Sequence, residues 1–136
     1  MSVIKSKRSE ADCLYVYNAL ELRRFTRDQC KKLPKRRTFY GNTLIADLAA
    51  QVAEHSVEAN EIYPLNAHEV QMRRDHILNA KGKLAALTTE VTELRKSDLL
   101  NEKVFLQWSK LIDDEDRLLA GVLKKDRERY KNLEKE

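Results

Sequence analysis

The sequence predicts an all-α protein, an antiparallel up-down four-helix bundle in one domain spanning residues 1–136. Proline and glycine together supply only five of the 136 residues (Pro34, Pro64, Gly41, Gly82 and Gly121), so few turns can be punctuated and the segments between them are long. Apolar residues recur at three- and four-residue spacing in four such segments, and none alternates with the period of two that a strand requires. Short connections between long amphipathic helices favour antiparallel neighbours around a shared core.

The first helix is expected from near Ser9, where "SEAD" places an acid three residues after a candidate N-cap, to Leu33 before Pro34. Val16, Ala19, Leu22, Thr26, Cys30 and Leu33 form its core stripe, while Leu14, Tyr17 and Phe25 lie off it and call for a second neighbour. The second helix is expected from Asn42 or Thr43 to Ile62, with Leu44, Leu48, Val52, His55, Ala59 and Ile62 inward, and it ends before "YP" because a residue preceding proline disfavours the helical region. "NAHE" then offers Asn66 as cap and Glu69 at the capping-box position. The third helix runs to about Lys96 with clear heptads, Val70, Ile77, Leu84 and Val91 in one column and Ala80, Leu87 and Leu94 in the other. After the break "KSDLL", the fourth carries Val104, Trp108, Leu111, Leu118 and Val122 inward with Phe105, Ile112 and Leu119 beside them. Past Lys124 the pattern dissolves, so residues 125–136 are expected to fray or extend as a solvated helix, and residues 1–8 to form a flexible basic N-terminus.

No apolar run approaches the ~18 residues of a membrane span, and "MSVIKSKRSE" has no apolar signal core. A cytoplasmic protein is expected. Cys13 and Cys30 on one helix would stand roughly 25 Å apart, far beyond disulfide reach, and free thiols suit a reducing compartment. The formal charge of +4 conceals an asymmetry: residues 1–42 hold 11 Lys/Arg against four Asp/Glu, whereas residues 43–136 hold 15 against 18.

Those cations cluster on one side. Arg23, Arg27 and Lys31 advance by four residues, and Arg24 and Lys35 fall near the same side; Lys32, Arg36 and Arg37 carry the strip into the turn, and Asp28 is the one acid from 23 to 42. Neighbours that mostly repel are not a stability device. Phosphates are the natural counter-charge, and Phe39 and Tyr40 directly after the strip are placed to stack on unpaired bases. Nucleic acid is therefore the expected partner, against the alternative of a merely solvated charge run with buried aromatics. Arg73 and Arg74 near the following turn are further candidates, either for a polyanion or subunit contact or for pairing with Glu69 and Asp75.

Other chemistry finds less support. His68, Met72 and His76 fall at successive i, i+4 positions, but no cysteine or second ligand cluster accompanies them and no metal is expected. In "DDED", residues 113–116, successive side chains point about 100° apart and cannot converge on one ion. Asp113 is expected to pair with Arg117, and Glu115, near the inward stripe, to meet a cation from the first or third helix. With no Gly-rich phosphate loop, nucleophile–base arrangement or facing carboxylates, neither catalytic residues nor a cofactor are expected.

The stretches "KLPKRRTFYGNTLIADLAAQV", "ANEIYPLNAHEVQMRRDHILNA" and "WSKLIDDEDRLLAGVLKKDRERY" resemble a family of small bacterial four-helix-bundle proteins. That family comprises the proteins of ribosomal-RNA intervening sequences and the accessory variability determinants of diversity-generating retroelements. The resemblance extends from about Lys7 to Tyr130. It implies a homo-oligomeric ring, a pentamer, that binds a reverse transcriptase and its template RNA or an RNA/DNA hybrid and supports mutagenic complementary-DNA synthesis. It would assign Lys35, Arg36, Arg37 and the first-helix cations to nucleic acid, and Leu14, Tyr17 and Phe25 to a subunit contact. The net acidity of residues 43–136 departs from a ring that is basic throughout and keeps a second role in view, a structural, self-assembling or protein-binding bundle of the intervening-sequence type with only nonspecific affinity for nucleic acid.

Overall fold

The structure, a computed structural model, describes residues 10–135, so the expected cap at Ser9 and the basic segment 1–8 lie outside the described residues. It is all-helical, with five α-helices packed together and no strand among the described residues. A 3₁₀ turn over Glu10–Cys13 leads into α1 (Leu14–Lys32), followed by α2 (Thr43–Glu61), α3 (Ala67–Lys96), α4 (Glu102–Arg129) and the short α5 (Lys131–Glu134).

The expected boundaries have visible causes. Leu33 is extended (φ −75°, ψ 156°) ahead of Pro34 and stops α1. Asn66 Oδ1 accepts from the Glu69 amide at 2.9 Å while Glu69 Oε1 accepts from the Leu65 amide at 2.7 Å, a reciprocal cap on α3. Asn101 Oδ1 caps α4 through the Val104 amide at 2.8 Å. Asp98, in the left-handed region (φ 58°), turns the chain out of α3. Of the two outcomes expected for the tail, extension as helix is the one observed: α4 continues past Lys124 to Arg129, and it is not wholly solvated, since Asp126 has a buried partner, described below.

Packing follows the sequence order: α1 lies against α2 and α4, and α3 lies against the same two helices. The cross-helix hydrogen bonds show the directions. Near the start of α1, Tyr15 bonds Asn60 near the end of α2. Asn18, early in α1, reaches Glu115 midway along α4, whereas Thr26, late in α1, meets Trp108 early in α4. Neighbours therefore run antiparallel. The α3 heptad columns are buried throughout. On α2 the buried face is centred one residue away from the expected stripe: Ile45, Leu48, Ala49, Val52, Ala53, Ser56 and Ala59 are inward and Leu44 is exposed. The small side chains Ala49, Ala53 and Ser56 widen that face so that α2 can meet α1 and α3 at once, which a single narrow stripe cannot do.

Trp108 is the largest fully buried side chain. Its indole N–H donates to Thr26 Oγ1 at 3.0 Å, and Phe25 packs edge-on against it with centroids 5.8 Å apart. The buried indole N–H thus has a partner, which accounts for Thr26 in an otherwise apolar stripe.

Candidate nucleic-acid interface

The turn between α1 and α2 is built around Arg37 and Asn42. Lys35–Arg37 form a 3₁₀ turn and Thr38–Asn42 a π-helical turn that runs directly into α2. Arg37 donates to Asn42 Oδ1 at 2.7 Å, and Asn42 Nδ2 donates to the Pro34 carbonyl at 3.0 Å. Thr38 Oγ1 donates to the Lys35 carbonyl and Thr43 Oγ1 to the Thr38 carbonyl, each at 2.6 Å. The guanidinium lies over the Tyr40 ring at 6.0 Å and beside Gly41, where an added Cβ would come within 2.5 Å of Arg37 Nη2. A side chain at position 41 would push the guanidinium aside, and Arg37, held by Asn42, is a brace of the turn rather than a free phosphate ligand.

What the brace holds outward is apolar and cationic. Phe39 is 98% exposed and Tyr40 68% exposed. Rings this open contribute nothing to the core, which removes the reading of these aromatics as buried. Arg27, Lys31, Lys32, Lys35 and Arg36 are also exposed. Arg24 is exposed but held by Glu21 at 2.6 Å. Arg23 turns toward α2, half-buried in a groove with Leu20, Ala53, Glu54, Val57 and Glu58, and its Nε is buried without a hydrogen-bond partner. The surface brought together is therefore Arg27, Lys31, Lys32, Lys35, Arg36, Phe39 and Tyr40.

Arg73 and Arg74 do not join it. Arg73 is only 6% exposed; its Nε donates to Asp126 Oδ2 at 2.6 Å and its Nη1 to the Ala59 carbonyl at 2.8 Å. A guanidinium engaged in this way cannot reach a phosphate, so Arg73 is corrected from a polyanion contact to a buried ion pair, with Asp126 rather than Glu69 or Asp75. Arg74 pairs with Glu134 of α5 and with Gln71.

The acidic run on α4 also rearranges. Asp114, not Asp113, is the partner of Arg117, and it also accepts from Lys110 at 2.7 Å. Glu115 is fully buried but meets no cation: Asn18 Nδ2 donates to Oε1 at 3.1 Å and Ser56 Oγ to Oε2 at 3.3 Å. Burial pushes its carboxyl up to about 8, and the two neutral donors offset that only in part. Burial likewise pushes the Cys30 thiol up to about 11 despite Arg37 nearby, so Cys30 is an inert packing residue. Cys13 and Cys30 are both free.

Leu14 and Tyr17 stay exposed and line a shared groove with Asn18, Asp114, Arg117 and Leu118, whereas Phe25 is half-buried on its own chain's Trp108. No described helix is long and apolar enough to cross a membrane. Comparison with family models, curated proteins and solved structures finds no match to this chain.

One arrangement was missed in the sequence. His55 and Glu58 of α2 face His76 of α3, with His55 Nδ1 3.1 Å from His76 Nδ1 and Glu58 Oε2 3.1 Å from the same nitrogen. In the sequence His55 falls in the apolar stripe of its helix, and His76 falls in register with His68 and Met72 of its own. The signal available was positional, since His55 lies nine residues before Pro64 and His76 eleven after Leu65, close to opposite positions in an antiparallel hairpin.

Proposed function

We propose that this chain is a non-enzymatic four-helix-bundle protein that binds RNA through the α1–α2 turn and acts as an accessory subunit of a diversity-generating retroelement, alongside its reverse transcriptase. The observation that carries the RNA reading is the exposed pair Phe39 and Tyr40, held out by the Arg37–Asn42 brace and flanked by the exposed cations Lys35 and Arg36. Cations supply affinity through counterion release, and open rings supply stacking platforms that favour single strands. The retroelement assignment rests on the sequence resemblance, as does assembly into a homo-oligomeric ring. The exposed Leu14 and Tyr17 support a subunit contact.

The reading is tested by co-expressing the chain with a reverse transcriptase encoded beside its gene and asking whether protein and template RNA copurify. Retained self-assembly without either partner would transfer the chain to the structural, self-assembling class. Fluorescence anisotropy with a single-stranded and a duplex RNA separately tests the turn, which is expected to favour the single strand.

A further inference from the structure

The α2–α3 hairpin carries a second constellation that nucleic-acid binding does not use. His55 and Glu58, three residues apart, share one face of α2, and His76 projects from α3 toward them. The two imidazoles are tilted at 35° with centroids 5.4 Å apart, and one donor atom from each of the three residues lies within 4.8 Å of the others. We propose that His55, Glu58 and His76 bind one divalent transition-metal ion of the zinc type.

The distances suit a single ion. A tetrahedral ion with bonds of about 2.0–2.1 Å separates its ligand atoms by roughly 3.3 Å. The two contacts at His76 Nδ1 are both 3.1 Å and need to spread by only a few tenths of an ångström, while the third ligand pair stands within 4.8 Å and closes on the ion through side-chain rotation. Without an ion, His76 Nδ1 serves two acceptors with a single proton, or takes one proton from His55 and leaves the carboxylate without a donor. A metal satisfies all three donors at once and displaces the proton between the rings. Two imidazoles and one carboxylate suit Zn²⁺, Co²⁺ or Ni²⁺ rather than Mg²⁺ or Ca²⁺, which prefer all-oxygen shells.

The scaffold is set before binding. Arg73, one turn before His76, donates to the Ala59 carbonyl beside Glu58 and fixes the hairpin register there. His55 and His76 are half-buried and Glu58 exposed, which leaves the fourth position to water. The opposing charge is Arg23, which lines the groove beside Glu58 and repels a dication. The ion would cross-brace α2 to α3.

The test is a Zn²⁺ titration of the metal-free full chain, followed by calorimetry and by histidine ¹H–¹⁵N spectra. One ion per chain is expected, with the His55 and His76 rings shifting together and the exposed His68 unmoved. His55→Ala and His76→Ala should each weaken zinc at least about tenfold, while Cys13→Ala with Cys30→Ala should leave it unchanged. Co²⁺ should report the same site through its visible absorption. Failure of the wild-type chain to bind, or equal response of all three histidines, overturns the proposal. That readout uses the unaltered protein and does not depend on variants that fold.

Discussion

Arg73 and Asp126 form an ion pair deep between α3 and α4, with Nε 2.6 Å from Oδ2 and side chains only 7% and 10% exposed. The same guanidinium also donates through Nη1 to the Ala59 carbonyl at the end of α2. One side chain thereby ties three helices and extends α4 beyond the point where its apolar pattern ends.

Removing Arg73 should consequently cost far more than its surface charge suggests. Arg73→Ala strands a buried carboxylate, and a loss of about 3–5 kcal/mol is expected in urea unfolding. Arg73→Met with Asp126→Leu removes both charges and should recover most of it. If the double variant is as unstable as the single, the pair is not the cause.

Glu115 makes stability depend on pH. Its carboxyl is raised from 4.5 to about 8 by burial, so the folded state holds the proton that the unfolded state has already released across that window. Stability is then full below about 4.5, declines as pH rises, and levels off above about 8. With each pKa unit worth about 1.4 kcal/mol, the decline amounts to a few kcal/mol. Glu115→Gln should flatten the slope and give a higher Tm than wild type at pH 8. An unchanged slope would mean that another group titrates.

The contrast between these residues shows how far a one-dimensional reading extends. Val70, Ile77, Leu84 and Val91 were legible because a heptad records its own burial. Arg73 occupies the same d-type register as Ala80, which alone marked it as inward, but its charge argued for the surface and its partner lies 53 residues away. Glu115 was recognised as inward, yet its partners Asn18 and Ser56 are neutral and leave no charge signal. The exposed cations Arg27, Lys31 and Lys32 were legible because α1 geometry fixes them, whereas Arg37's role depends on Asn42, which local spacing does not single out.

Phe39 and Tyr40 lie outside the core, so Phe39→Ala and Tyr40→Ala should leave the melting temperature within error. Single-stranded RNA binding should weaken by about 1–3 kcal/mol per stacked base lost, and duplex binding much less. Equal loss on both RNAs would make the rings general contacts rather than stacking platforms.

Cation replacements should separate contact from scaffold. Lys35→Gln with Arg36→Gln removes two exposed charges and should lower the salt slope for single-stranded RNA by up to about 1.4, with the fold intact. Arg37→Gln breaks the bond to Asn42 and should cost about 1 kcal/mol of stability instead. A salt slope unaffected by the double variant would reduce the turn to a solvated charge run.

Tyr17 is 54% exposed and Leu14 44%, beside each other in a groove that Leu118 completes from α4. Burying such a patch against a second copy is favoured by about 25 cal/mol for each Å² of apolar surface removed from water. Arg117 and Asp114 at the same groove already pair with each other, so a partner copy meets an apolar floor with its charges satisfied. Tyr17→Glu places a new charge on that floor without touching the intrachain stripe. Light scattering at micromolar concentration should show an oligomer for the wild type and a smaller species for the variant, with matching far-UV circular dichroism. A wild-type monomer would remove the subunit contact, and an oligomer indifferent to Tyr17→Glu would move it to another face.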